Sequence, residues 1–600
     1  MKNRSLRSSS GIVWKTALVF WSLICFGVLE LNKNTITGWL YAAAAIFLFA
    51  LMRRRVVTGA RLKFLMWTLL FIAFAAILFF TWPPVKPVPA VSGSHPSATG
   101  VIHLETGDLT GVLTKDGAVE VYAGIPYAAP PVGDLRWKEP QPAEKWEGIL
   151  KADHFAPMSM QTQNLPIYNS LARIVGYHDY RISLTDNYRA PASEDSLYVN
   201  IWKPAGQVSD LPVLVYIHGG SLQTGQPWYE DYSGEGLARK GVIVVNMGYR
   251  LGVFGFFADE ELKEESPTGT TGNYGLLDQI AALRWVRDNI AAFGGDPANV
   301  TVAGESAGSA CVTALSVSPL AKGLFKRLIA ESSTVTAPEP AHSFRLLDEA
   351  YEAGSRTKAK FGAATVEQLR SIPADDLVGE LSDHHHMTVD GAVLKETPYE
   401  SRQKGIHNEE ALLHGFNAEE AAPFILFSQG NLKNYREKVS GAFSSPYDEQ
   451  VLALYPAATD DEAKANWAAV DSAVFFTYGH YCLQRQAEAV GEPAYMYYFT
   501  KDNGRLGAWH SGEEVYFYGN IPDRSKLYTD ADRALSDQIV QYIVNFVKTG
   551  DPNGDGLPGW PAATDGRTVL ELNETTGTAE TPYLDLYSVM DEMTGYDSVK

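Results

Sequence analysis

Between Thr301 and Ala310 the chain reads TVAGESAGSA, and no other segment limits its possible folds so sharply. A short apolar strand runs into Gly304-Glu305-Ser306-Ala307-Gly308, where glycines stand two positions to either side of a serine. This G-x-S-x-G spacing suits a nucleophile carried on a strained strand-to-helix turn, because a Cβ at either flanking position would meet neighbouring backbone. Such a turn lifts the Ser306 hydroxyl clear of the sheet, over a helix N-terminus whose unpaired N–H groups face a reacting carbonyl.

The surroundings supply the rest of that architecture. Apolar residues at Leu276, Ile280, Leu283, Val286 and Ile290 recur at helical spacing, Gly294-Gly295-Asp296-Pro297 closes that helix, and Asn299 to Ala303 reads as a buried strand. Leu211 to Ile217 and Gly241 to Asn246 are near-continuous apolar runs, as strands covered on both faces of a parallel sheet require. The first ends in His218-Gly219-Gly220, a glycine turn able to aim backbone N–H donors at an oxyanion.

Several ordered segments resemble the type-B carboxylesterases, a family that includes cholinesterases and bacterial para-nitrobenzyl esterases. They are YAGIPYAAPPVGDLRW from Tyr122, SEDSLYVNIW from Ser193, YIHGG from Tyr216, YRLGVFGF from Tyr249, GNYGLLDQIAALRWV from Gly272, FGGDPANVTVAGESAG from Phe293 and GDPNGDGLPGWP from Gly550. The resemblance runs from about Gly107 to the C-terminus. It implies an α/β-hydrolase fold, a mostly parallel sheet flanked by helices, and hydrolysis of carboxylic esters with no cofactor.

A serine nucleophile needs a base, and the base needs an acid to fix its tautomer. In α/β-hydrolases these follow the serine in the order acid, histidine. HGFNAEEAAPF from His414 resembles the family's acid segment and nominates Glu420 rather than Glu419, although the following glycine of the family is Ala421 here. GAWHSGEEVYFYGN from Gly507 resembles the histidine loop and nominates His510. The resulting expectation is a triad of Ser306, Glu420 and His510, with Gly219, Gly220 and Ala307 forming the oxyanion hole. Glu305 resembles a carboxylate lining the family's pocket, and an exposed glutamate would look the same. Ser332 matches a family serine near the triad, but its usual neighbours are replaced by Glu331 and Ser333, so it stays outside the catalytic set.

Two runs imitate metal sites. His384-His385-His386 offers good zinc ligands, but adjacent residues of an extended chain point to opposite faces, which favours an exposed loop. Asp551 to Gly556 resembles the start of a calcium loop, yet Ala562 stands where the bidentate glutamate belongs. No metal is expected at either.

The first 100 residues carry a different message. Residues 12–31, 37–52 and 64–82 are apolar segments near the ~20 residues needed to cross hydrocarbon, the second somewhat short. Lys2, Arg4 and Arg7 precede the first and Arg53, Arg54, Arg55, Arg61 and Lys63 fill the second loop, against Lys33 alone in the first. The positive-inside rule then puts the N-terminus in the cytoplasm and everything beyond Trp82 outside, in the periplasm or cell exterior. Trp14, Trp39, Trp67 and Trp82 lie near span ends as interfacial aromatics do. A cleaved signal peptide is the rival for the first span, which lacks a clear small-residue cleavage site. Residues 83–100 are proline-rich and read as a spacer, leaving 101–600 for the hydrolase.

Eleven of the 50 Lys and Arg but one of the 70 Asp and Glu fall in those first 100 residues. The outer part is therefore strongly acidic, which excludes nucleic acid as a partner and disfavours anionic lipid surfaces. The expected partners are a small ester and, through the spans, the bilayer. Of three cysteines, Cys25 lies in the first span and Cys311 follows the nucleophile as a small buried apolar residue. The resemblance implies a disulfide at two positions that are Ser159 and Ser196 here, so that bridge is missing. Tyr168, Tyr177, Tyr180 and Tyr188 lie between them and suit either a pocket rim or a packed surface loop.

Overall fold

A helix rises about 1.5 Å per residue, so ~20 apolar residues match ~30 Å of hydrocarbon. The computed structural model folds the N-terminal segment into three helices, α1 (Lys2–Leu31), α2 (Ile36–Arg55) and α3 (Ala60–Phe80). It describes the chain except residues 1, 56–58, 92–94, 164–166, 168–188, 340–343, 381–382, 503, 505, 523–526, 563–565 and 597–600. Two stretches, Val13–Leu31 and Ala60–Phe80, are long and apolar enough to cross a membrane, whereas the apolar part of the middle helix, Ile36–Met52, is shorter. Helices form at all three expected spans, but only two of them are long and apolar enough to cross, and the middle one, already short in the sequence, is not. Three of the four tryptophans expected to mark interfaces pack between helices: Trp14 and Trp67 lie against Phe49, and Trp39 stacks on Phe26. Tyr168, Tyr177, Tyr180 and Tyr188 lie outside the described residues.

The chain divides into two compact units, Met1–Pro87 with Gln163–Pro191, and Val88–Thr162 with Ala192–Lys600. The stretch read as a spacer is engaged within each unit. Val85 bridges Arg189 in the first, while Val88–Pro89 pairs with His154–Phe155 and Ala98–Leu104 joins the main sheet in the second.

At the centre of the second unit's main sheet, seven neighbouring strands pair in parallel: β1 (Leu211–Ile217), β2 (Ile243–Met247), β3 (Gly295–Glu305), β4 (Arg327–Glu331), β5 (Ala411–Asn417), β6 (Ala494–Phe499) and β7 (Thr568–Leu572). Their order across the sheet is β7-β6-β5-β4-β3-β1-β2, and antiparallel strands extend both edges. Alternation along β1 explains its unbroken apolar run. Val213, Val215 and Ile217 meet Leu276, Ile280 and Leu283 of helix α4 (Tyr274–Asn289) on one face. Leu214 and Tyr216 share the other with Ile539 and Ile543 of a long C-terminal helix, Asp530–Thr549. Both faces are covered by helices, as a parallel sheet demands. β3 starts earlier than its apolar run: Gly294 takes φ 88°, and Gly295 already pairs with Leu211 ahead of a register shift.

Candidate active site

Seven parallel strands direct their carboxyl ends to one edge, where an α/β sheet gathers its functional loops. Ser306 stands there, immediately after β3 and before helix α5 (Ala307–Val317). Its φ of 55° and ψ of −124° put a non-glycine residue in strained backbone. The flanking glycines are obligatory in the sense the motif implies: a Cβ on Gly304 would come within 2.6 Å of Gly308 backbone, and one on Gly308 within 2.0 Å of the Ile217 carbonyl oxygen. The Ser306 N–H donates to the Glu331 carbonyl at 2.9 Å, tying the turn to β4.

Around this serine the structure brings together the other expected residues. His510 Nε2 lies 2.8 Å from Ser306 Oγ, and His510 Nδ1 lies 2.6 Å from Glu420 Oε2. The remaining Glu420 oxygen, Oε1, accepts the Asn417 backbone N–H at 2.7 Å. Glu419 faces away: its Oε2 accepts the Ala508 N–H at 2.8 Å, clasping the histidine loop from outside. With Nδ1 on the Glu420 carboxylate, Nε2 is the ring nitrogen left facing the Ser306 hydroxyl.

The glycine turn after β1 sits against the serine. A Cβ on Gly219 would lie 3.0 Å from Ser306 Cβ, and Gly220 has φ +104° with the Thr224 carbonyl oxygen 2.3 Å from where its Cβ would stand. Ala307 is the first residue of α5, so its N–H has no carbonyl one turn behind it. The glycine turn and the start of α5 thus both adjoin Ser306, where the oxyanion donors were expected. His218 before the turn is buried, which pushes its pKa down to about 4, and it stacks on Tyr249 at 4.6 Å.

Glu305, which the sequence left open between pocket lining and an exposed position, is buried at the site, and it is joined by Glu513 and Glu514, which the sequence reading did not single out. Glu305 Oε1 lies 3.2 Å from His510 Nε2 and accepts the Ser511 hydroxyl at 2.6 Å. Burial, then the neighbouring Glu513, hold its carboxyl well above the usual range. Glu513 accepts the Ser332 hydroxyl at 2.6 Å and a second hydrogen bond from the Asn417 side chain. Burial and then the Glu420 charge push Glu513 up to about 7. Ser332 thus serves the acid cluster. Glu331 and Glu514, each held by a tyrosine hydroxyl from Tyr518 and Tyr216, complete the cluster, both raised first by burial. Phe424 and Phe476 border the imidazole, with ring centroids 5.2 and 4.6 Å away.

Elsewhere the structure departs from expectation at the histidine run. The histidine run is not an exposed loop: His384 is fully buried, bonds Thr357 Oγ1 through Nε2 at 2.7 Å and packs edge-on to Phe257. Of the three only His384 is fully buried, and His385 and His386 are half-buried. Ser159 and Ser196, where the family resemblance places a disulfide, meet instead through a 2.9 Å hydrogen bond. Cys311 is fully buried in α5, and burial pushes its thiol up to about 12. In the loop resembling a calcium site, the Asp551 carboxylate accepts the Asn553 backbone N–H at 2.9 Å.

Residues 98–587 match the model of the carboxylesterase family. The chain is 34% identical over 523 residues to carboxylesterase 1C of Rattus norvegicus, covering 81% of this chain and 92% of the relative. It is 32% identical over 505 residues to fumonisin B1 esterase of Sphingopyxis macrogoltabida, covering 80% and 87%. Among solved structures, PNB esterase aligns with a TM-score of 0.68 and 28% identity across 82% of this chain and 99% of that one. Family model, relatives and fold agree, and the chain belongs to the carboxylesterase family.

Proposed function

We propose that this protein hydrolyses carboxylic esters through an acyl-enzyme on Ser306, in a catalytic domain anchored to a membrane by its N-terminal helices. The observation that carries the mechanism is the unbroken hydrogen-bonded line from Ser306 Oγ through His510 to buried Glu420, 2.8 and 2.6 Å at its two links. His510 takes the serine proton as the oxygen attacks the ester carbonyl. Glu420 stabilises the imidazolium and keeps it oriented. The N–H groups of Gly219, Gly220 and Ala307 receive the negative charge of the tetrahedral oxyanion. His510 then protonates the departing alcohol, and the same residues repeat the cycle with water to release the acid. Side chains and water supply every proton and electron pair, so the cycle requires no cofactor.

For the anchor, the supporting observations are the two long apolar helices and the placement of positive charge around the shorter one. Three crossings, with the bilayer thinning locally around the shorter α2, put the N-terminus in the cytoplasm and the hydrolase in the periplasm or cell exterior. Reporter fusions test it: one after Lys600 should behave as extracytoplasmic and one at Ala60 as cytoplasmic, and reversed signals would overturn the orientation. Ser306→Ala tests the mechanism, and wild-type-like turnover in the pure variant would refute it.

A further inference from the structure

The chain passes between the two units three times, after Pro87, after Thr162 and after Pro191. A simple tether needs only the first. The other two passages mark an excursion, Gln163–Pro191, that the catalytic chain sends to the helical unit. Resting on the reading of those helices as an anchor, we propose that the anchor holds the catalytic chain at a second point, gripping the ends of this excursion through Asn32 and the Trp82-Pro83-Pro84 segment.

The grip is built from polar groups at one end of the helices. Asn32, Asn34 and Thr81 are all buried there. Asn34 Nδ2 donates to Leu78 O and Thr81 Oγ1, both at 2.9 Å, and Asn32 Nδ2 donates to Asn34 Oδ1 at 2.7 Å. Asn32 Oδ1 is the acceptor left over, and the Ile167 N–H from the excursion donates to it at 3.3 Å. A buried amide oxygen without a donor is costly, so the knot is completed by the excursion. At the other end, Arg189 N–H donates to Pro84 O at 2.9 Å and Arg189 O accepts the Lys86 N–H at 3.0 Å. Its Nε donates to Pro83 O at 3.2 Å, and the guanidinium lies 4.9 Å over the Trp82 ring. These acceptors directly follow α3, where the helix dipole also favours a cation.

The base of the excursion bears on the active site. Met158–Ser159 pairs with Ala192–Ser193, and the Ser159 hydroxyl also donates to Tyr249 O at 2.5 Å. Tyr249 in turn donates to His218 O at 2.8 Å, directly before Gly219. Gln161 clamps Gly225, in the loop after the glycine turn, by accepting its N–H at 3.0 Å and donating to its carbonyl at 2.7 Å. The excursion therefore joins an anchor contact to the backbone that carries the oxyanion donors, and Gln161 acts as a positioning residue.

Amide hydrogen exchange on the full chain in detergent micelles tests this. In Arg189→Ala, which leaves the helices untouched, and in Asn32→Ala, peptides covering 163–167 and 189–191 should exchange about tenfold faster than in wild type, as loss of such bonds implies. Peptides of the parallel strands should be unchanged. Turnover of a water-soluble ester should fall through kcat with KM preserved. Exchange at 163–167 and 189–191 that is the same in Arg189→Ala as in wild type would overturn the inference. Full-length protein that stays monodisperse without detergent would instead refute the anchor reading on which it rests.

Discussion

Glu305 and Ser306 are neighbours in the chain, yet both reach the same nitrogen: Glu305 Oε1 lies 3.2 Å and Ser306 Oγ 2.8 Å from His510 Nε2. When His510 is an imidazolium, Nε2 has one hydrogen and two oxygens to choose from. Glu305→Gln removes the acidic competitor and the charge it can place beside the cation, while keeping an acceptor for Ser511. We expect kcat/KM to fall about tenfold, the scale of one charged hydrogen bond, with the fold intact by circular dichroism. An unchanged rate would mean that Glu305 only fills space.

Glu419 and Glu420 are adjacent but should behave oppositely. Glu420→Gln leaves the geometry but removes the charge that fixes the histidine tautomer, and should cost roughly 10⁴-fold in kcat. Glu419→Gln keeps an acceptor for the Ala508 N–H and should stay within about tenfold of wild type. Steady-state rates of the two purified variants decide it, and the reverse ranking would move the acid to Glu419.

The buried carboxylates should leave a mark on stability as a function of pH. Glu513 is raised to about 7, so the folded state binds a proton there that the unfolded state has already lost. Its contribution is fully present below the unfolded value of ~4.3 and disappears as pH rises through about 7. Buried His218 acts in the opposite sense, losing stability as pH falls from its ordinary ~6.5 toward about 4, so the informative quantity is a difference between variants. The Tm of wild type minus that of Glu513→Gln should increase as pH is lowered from 8 to 5. A difference that is flat across this range would place the proton elsewhere in the cluster.

Ser159 and Ser196 already touch, 37 residues apart in sequence. Replacing both with cysteine should give a disulfide that closes this loop and stabilises the catalytic unit by about 3–4 kcal/mol on the chain-entropy estimate. The rise in Tm of the oxidised double variant, and its loss with reductant, measure this. No difference between oxidised and reduced protein would show that the two positions cannot adopt disulfide geometry.

What the sequence made legible, and what it did not, follows from the range of the interactions. Gly304 is required by Gly308 backbone four residues on, and the spacing of the two glycines about Ser306 is a local pattern that announces the turn, although Gly308 itself is excluded from bearing a Cβ by distant Ile217. The same holds for β1, whose unbroken apolar run is dictated by cover on both faces. Glu513 and Ser332 meet across 181 residues, and nothing local says that both side chains turn inward. His384 looked exposed because one histidine of three is fully buried, and nothing in the composition of a polar loop says which. The proline-rich stretch after Trp82 has the composition of a free spacer, but its backbone pairs with Arg189, His154 and Phe155, partners that only the fold brings near.

Covalent labelling tests the role of Ser306 most directly. A fluorophosphonate reacts with a serine only when a neighbouring base and oxyanion donors activate it. Incubation with wild type should abolish esterase activity in step with the addition of one equivalent of label, and peptide mapping should find it on Ser306. Ser306→Ala should take up no label and His510→Ala should be labelled far more slowly. Label on any other residue, or full inactivation of wild type with Ser306 unmodified, would contradict the assignment of Ser306 as the nucleophile.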